Sequence, residues 1–220
     1  MMTIDRKRSA LVLVDIQPDF MPGGGLPVTD GHRILDGVRK LMDSDAFGLQ
    51  VATQDWHPPD HVSFAANHPG KEPLEVISLH GHDQVLWPLH CVQGTEGAEL
   101  HPELPWGQVS VIIRKGDDPR TDSYSGFRNN WNPDGLRPGT GLAGYLRERK
   151  VSDLYVCGLA RDYCVKWTAE DAAAEGFRTR VIWDLTRSVD PSGDDDLRKT
   201  LASAGVELVE SSELEMESPS

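Results

Sequence analysis

Short apolar runs recur along the chain, and each stops at a charged residue or a glycine. Ser9-Ala10-Leu11-Val12-Leu13-Val14 is continuous and ends at Asp15. A run without polar alternation suits a strand buried on both faces, as strands of a parallel sheet are. Similar runs at 50–53, 109–113, 154–157, 179–183 and 206–209 predict five further strands. They are followed by Asp55, Lys115, Gly158, Asp184 and, after the last, a polar tail. Between them the period lengthens to that of a helix. Ile34, Leu35, Val38, Leu41 and Met42 predict a helix over 32–42. Leu142, Tyr145 and Leu146 predict one over 142–150, with Thr140 as N-cap. Helices at 163–175 and 194–204 end at Gly176 and Gly205.

Strands alternating with helices predict an α/β fold: three layers, α/β/α, around a doubly wound, mostly parallel six-stranded sheet. One domain over 1–210 is expected. An insertion at about 56–108 breaks the rhythm, and 58–108 shows no clean period; stretches of that length are usually functional. A second irregular stretch covers 116–138. The polar, acidic residues 211–220 predict a disordered tail.

Composition narrows the function classes. The 220 residues carry a net charge of -13 without a Lys/Arg cluster, which argues against nucleic acid and anionic membrane as partners. No apolar run approaches a membrane span, and residues 1–8 are too polar for a signal peptide. Three cysteines, an odd count, fit a reduced cytoplasmic protein with a thiol left for chemistry. Monomer and homo-oligomer both remain open.

Seven of the eight histidines fall between His57 and His101. Asp55 and His57, two apart at a strand end, share one face. With His90 they form a candidate site for one divalent metal ion, while His61 stands close enough in sequence to join it. His68, His80, His82 and His101 read as surface loop residues. In open α/β sheets ligands bind beyond the carboxyl ends of the strands, where Asp15, Asp55, Lys115 and the 158–164 turn all lie. Cys164 in the first turn of a helix is a candidate nucleophile, its pKa lowered by the dipole and by Lys115. Asp15 would move its proton, and the N–H groups of Ala160 and Cys164 would hold an oxyanion. Phe20, Trp87 and Tyr124, aromatic loop residues at this edge, suggest a flat substrate. Trp106 and Trp131 read as packing residues, Asp162 as a helix cap, Cys157 as core. Cys91, beside His90, points to the opposite face on an extended chain. No G-x-G-x-x-G follows the first strand, which argues against a dinucleotide.

Several motifs resemble one family. Val14-Asp15-Ile16-Gln17-Pro18-Asp19-Phe20 with Pro22-Gly23-Gly24-Gly25-Leu26, then Gln54-Asp55-Trp56-His57-Pro58 with His61, resemble the nicotinamidases among the isochorismatase-like cysteine hydrolases. So do Trp87-Pro88-Leu89-His90-Cys91-Val92, Asp122-Ser123-Tyr124-Ser125, and Gly158-Leu159-Ala160 with Asp162-Tyr163-Cys164. The resemblance implies an isochorismatase-like fold and hydrolysis of nicotinamide, with pyrazinamide as a further substrate, in NAD salvage. It implies Cys164 as nucleophile, Asp15 as base and acid, and Lys115 as the stabilising charge. Asp55, His57 and His90 would hold zinc, or iron or manganese, with His61 a ligand in some members. Phe20, Trp87, Tyr124 and Tyr163 would line the ring pocket, and Leu159–Ala160 would be a cis peptide. Arg161 departs from the small polar residue of the family; it would face solvent, alter substrate access or bind an anion. Two alternatives stand beside this: a related hydrolase of another small amide, and a non-catalytic metal-binding or redox-sensing protein.

Overall fold

The computed structural model describes residues 2–215. In chain order its elements are β1 (Met2–Thr3), β2 (Ser9–Val14), α1 (Leu35–Asp43), β3 (Leu49–Asp55), β4 (Val76–Leu79), β5 (His82–Val85) and β6 (Val111–Lys115). Then follow α2 (Leu142–Glu148), β7 (Asp153–Leu159), α3 (Lys166–Ala174), β8 (Arg178–Arg187), α4 (Asp194–Ser203), β9 (Glu207–Val209) and β10 (Leu214–Glu215).

All six predicted strands pair into one sheet of order β6-β3-β2-β7-β8-β9, and every neighbouring pair is parallel. The central strand β2 is buried throughout, and its side chains alternate between two cores. Leu11 and Leu13 pack with Leu35, Val38, Leu41 and Met42 of α1 on one face. Ala10, Val12 and Val14 face the other side, with Leu142 and Leu146 of α2, Ala169 and Ala172 of α3, and Leu197 and Leu201 of α4. Period 2 along the strand thus builds the three layers. The strand order reverses between β2 and β7, which opens a crevice beyond their carboxyl ends. Gly158 makes that junction possible. It has φ +119°, and an added Cβ would lie 2.0 Å from the Val14 carbonyl oxygen. Among the described residues no helix is long and apolar enough to cross a membrane.

Several expectations need correction. The stretch 58–108 holds an antiparallel hairpin, β4 with β5, and single bridges tie His57 to Val92 and Phe64 to Trp87. The hairpin escapes a hydrophobic-pattern reading because β5 is mostly polar and both strands are largely exposed. The helix expected over 163–175 begins as a π-turn, Arg161–Val165, before α3. Gly141, not Thr140, is the N-cap of α2; Thr140 Oγ1 still accepts the Leu142 N–H at 3.3 Å. Residues 211–215 are not disordered. Leu214 is buried, and β10 pairs in parallel with β1, a contact between chain ends that local composition does not encode. The rest of that tail, 216–220, lies outside the described residues.

Candidate active site

The crevice gathers side chains from four strand ends. Asp15 follows β2, in a left-handed conformation with φ +44°. Its Oδ1 accepts a hydrogen bond from Thr53 Oγ1 at 2.6 Å, and its N–H donates to the same oxygen at 3.2 Å. Its Oδ2 lies 2.8 Å from Lys115 Nζ without a well-aligned hydrogen bond, so it can still accept a proton. Lys115, the last residue of β6, donates to Cys164 Sγ at 3.4 Å and to the Ser123 carbonyl at 3.1 Å, and pairs with Asp55. Asp15 and Lys115 are fully buried and Cys164 nearly so. Burial opposes the charge on Lys115, but the two carboxylates outweigh it and hold the ammonium well above its usual pKa. Burial raises Asp15 to about 6, despite Lys115.

The thiol corrects an expectation. Burial pushes Cys164 well above its ordinary pKa, and the nearby Asp15 and Asp55 charges add to this; Lys115 pulls the other way and loses. The anticipated lowering by a helix dipole is not what governs here, because the thiol sits in a buried π-turn between two carboxylates. The shift favours the neutral thiol, with the Asp15 carboxylate beside it.

A second cluster adjoins the first. Ligand atoms of Asp55, His57 and His90 all lie within 4.8 Å of one another. His57 Nε2 is 3.6 Å and His90 Nε2 3.9 Å from Asp55 Oδ2. Each ring donates from Nδ1 to a carbonyl, His57 to Gly116 at 2.9 Å and His90 to Pro88 at 2.8 Å. A carbonyl can only accept, so Nδ1 carries the proton of each neutral ring and Nε2 is the atom turned toward the carboxylate. Burial lowers His90 to about 4, which keeps it neutral. Burial also disfavours charge on His57, but Asp55 outweighs it and raises that pKa. Lys115 and His57 together overcome burial of Asp55 and hold its carboxyl well below the usual range. A carboxylate with two inward-facing imidazole nitrogens is a donor set that fits one divalent cation. His61 lies tilted against His57, ring centroids 4.4 Å apart, but its Nδ1 accepts from the Ser63 N–H and its Nε2 faces the Thr121 carbonyl. It groups with His57 and Asp122 instead.

Both clusters reach one small cavity, the first through Cys164 and the second through Asp55, His57 and His90. Phe20, Trp87, Tyr124 and Tyr163 line it, as do Ala160 and Cys164, the pair expected to supply oxyanion N–H groups. Trp87 and Tyr163 meet edge to face at 4.7 Å, and Trp87 Nε1 donates to Tyr124 Oη at 3.1 Å. The Leu159–Ala160 peptide is cis. Leu26, Asp122, Ser123 and Val189 also line the cavity and had no role in the site expected from sequence, although the first three lie within the motifs of the resemblance. Thr53 and Gln17 had no expected role either. Gln17 is wholly buried and clamps the Asp55 backbone, donating to its carbonyl at 2.9 Å and accepting its N–H at 2.8 Å. Thr53 was legible, since it precedes Asp55 by two and shares its face.

Other residues stand apart from the site. His68 and His80 bond to loop carbonyls, Trp106 to the His101 carbonyl, and Trp131 stacks on His82. Cys91 and Cys157 are buried in the core. Asp162 caps no helix; its carboxylate accepts the Val189 and Asp190 N–H groups. Arg161 neither faces solvent nor waits for an anion. It is buried against Trp183, 3.9 Å from ring centroid to Cζ, and paired with Asp194.

Comparison with known proteins places this arrangement. Residues 9–213 match the isochorismatase domain. A nicotinamidase of Acinetobacter baylyi is 46% identical over 184 residues, 84% of this chain and 83% of the relative. The solved structure of PnC1 from L. infantum in complex with nicotinate superposes with a TM-score of 0.85 at 39% identity, covering 98% of this chain and 99% of that one. A Pyrococcus horikoshii pyrazinamidase in complex with zinc superposes at 0.75 with 37% identity, covering 92% and 99%. By sequence and by fold, the chain belongs to the isochorismatase family, alongside its nicotinamidases.

Proposed function

We propose that this protein is a nicotinamidase, a cysteine amidohydrolase that converts nicotinamide and water to nicotinate and ammonia in NAD salvage. The observation that carries the reading is one cavity lined by Cys164 and by Asp55, His57 and His90, with Asp15 and Lys115 buried behind the thiol. The acting unit is one domain over 1–210, with the metal-site insertion at about 56–108. Its three free, buried cysteines suit a reducing cytoplasm.

In this reading Asp15 takes the thiol proton of Cys164, and Lys115 holds the resulting charges. The sulfur attacks the amide carbon, forming a C–S bond, while N–H groups of Ala160 and Cys164 receive the developing oxyanion. The C–N bond breaks as Asp15 returns the proton to departing ammonia. Asp15 then takes a proton from a water, whose oxygen displaces sulfur from the thioester; Asp15 returns that proton to the Cys164 sulfur as nicotinate is released. A divalent metal held by Asp55, His57 and His90, zinc in the sharper form of the reading, would supply a Lewis-acidic point that fixes the ring through its nitrogen. Phe20, Trp87, Tyr124 and Tyr163 enclose the ring, and pyrazinamide, with the same ring size, fits the same enclosure.

Ammonia release from nicotinamide tests this with the purified, metal-analysed protein and its Cys164→Ala and His57→Ala variants. Turnover should vanish without Cys164, while metal content stays, and should fall with metal content without His57. A folded, metal-loaded wild type that releases no ammonia would rule the reading out.

A further inference from the structure

The two residues that open the nucleophile's turn spend their side chains on β8 and the chain that follows it. Asp162, two residues before Cys164, accepts the Val189 N–H on Oδ1 and the Asp190 N–H on Oδ2, each at 2.9 Å. Arg161 grips the end of β8. Its Nε donates to Thr186 Oγ1 at 2.7 Å, and its Nη2 to the carbonyls of Trp183 at 3.0 Å and Thr186 at 2.7 Å. Its Nη1 pairs with Asp194, whose other oxygen accepts from Ser188 Oγ at 2.6 Å. The turn carrying the thiol and the loop after β8 are therefore locked together on both sides of Val189. Val189 is the residue of that loop that reaches the cavity.

We propose that Asp162 is a positioning residue for specificity: by clamping the Val189 and Asp190 N–H groups it fixes Val189 as the wall that decides which ring substituents reach Cys164. The inference rests on the amidohydrolase reading and goes beyond it by naming a determinant of substrate range. A carboxylate accepting two successive N–H groups makes charge-assisted bonds that hold a loop more firmly than packing of one valine would. The base of the clamp is itself immobile, because Arg161 ties it to β8. Asparagine at 162 keeps the size but accepts only one of the two N–H groups and turns its own N–H2 toward the other. The wall then loosens without any change in the residues that touch the carboxamide.

The test compares wild type, Asp162→Asn and Val189→Ala on nicotinamide and its ring-methyl isomers, with kcat and KM measured separately. Hydrogen exchange at the Val189 and Asp190 amides is followed in parallel. Val189→Ala should raise kcat/KM for at least one methyl isomer, relative to nicotinamide, by about tenfold or more, the discrimination one methyl group carries in an apolar pocket. Asp162→Asn should shift the same ratio in the same direction and raise KM for nicotinamide more than it lowers kcat. Its Val189 and Asp190 amides should exchange about fivefold faster or more, as loss of one hydrogen bond implies. A purely structural Asp162 would depress all amides alike and leave the ratios unmoved, which would overturn the proposal, as would unchanged exchange. A wild type inactive on nicotinamide would instead overturn the functional reading, while the exchange data still decide the clamp.

Discussion

At the scale of single residues, the site depends on a carboxylic acid that is costly to ionise. Burial raises Asp15 to about 6, against an ordinary 3.8. The native state thus binds the proton more tightly than the unfolded chain does. The associated stability is fully present below the unfolded pKa and is lost as pH climbs through about 6. In the proposed mechanism activity runs the other way, because the ionised form is the one that would take the thiol proton. We expect kcat/KM for nicotinamide to rise across an acid limb centred near pH 6, while the melting temperature loses part of its value over the same interval. Asp15→Asn should flatten that part of the stability profile and cut kcat by about 10²–10⁴-fold, the usual share of a general acid–base group. A wild-type rate profile without an inflection between about pH 5 and 7 would contradict the assignment. Which residues carry charge was readable from the chain; the direction of their shifts was not. Cys164 stands in a helical first turn, which argued for a lowered pKa, yet burial between Asp15 and Asp55 reverses it. Proximity in sequence reports the dipole but not the depth.

At the scale of elements, strand ends do the positioning, and glycines let them approach. Gly116 follows β6 with φ +66°, and an added Cβ would lie 2.3 Å from the His57 ring. Its carbonyl also accepts from His57 Nδ1. Gly116→Ala should therefore tilt the imidazole and weaken metal retention by about 10–100-fold, the range for loss of an orienting partner of a ligand. Equilibrium dialysis against a chelator, with metal per protein as the readout, checks this. Retention equal to wild type would show that the His57 ring tolerates the added methyl. The elements themselves were largely visible in advance, because β2, β3, β7 and β8 are buried and carry the apolar residues such burial requires. The hairpin β4–β5 was not visible, since its stabilising contacts lie between strands and only Gln84, a polar residue, is buried in it. The π-turn at Arg161–Val165 was hidden for a related reason. Residues 163–165 read as the start of the helix by local preference, whereas Arg161 and Asp162 before them are drawn off by partners in β8 and the following loop.

For the whole molecule, the parallel β1–β10 pair joins the two ends of the described chain, and neither strand lines the cavity. Leu214 is buried there at 4% exposure, within the core that includes α1. Leu214→Ala should cost about 2 kcal/mol, the low end for a buried leucine, and leave kcat/KM unchanged. Chemical denaturation and steady-state kinetics on one preparation test both halves. A loss of activity at constant stability would mean that the chain ends communicate with the site.

The sequence alone determined the strand and helix alternation, hence the parallel three-layer class, because burial on two faces demands continuous apolar runs. It also determined which residues end the strands. Asp15, Asp55, Lys115 and Cys164 could be named because ligands collect at the carboxyl ends of such sheets, and the motif resemblance attached a chemistry to them. Only the tertiary structure decided that Lys115 lies between Asp15, Asp55 and Cys164, that His61 turns to Ser63 and Thr121, and that Arg161 is buried. Those outcomes depend on distances between segments far apart in the chain, and on how much water their packing excludes. Neither quantity has a local signature along a polypeptide.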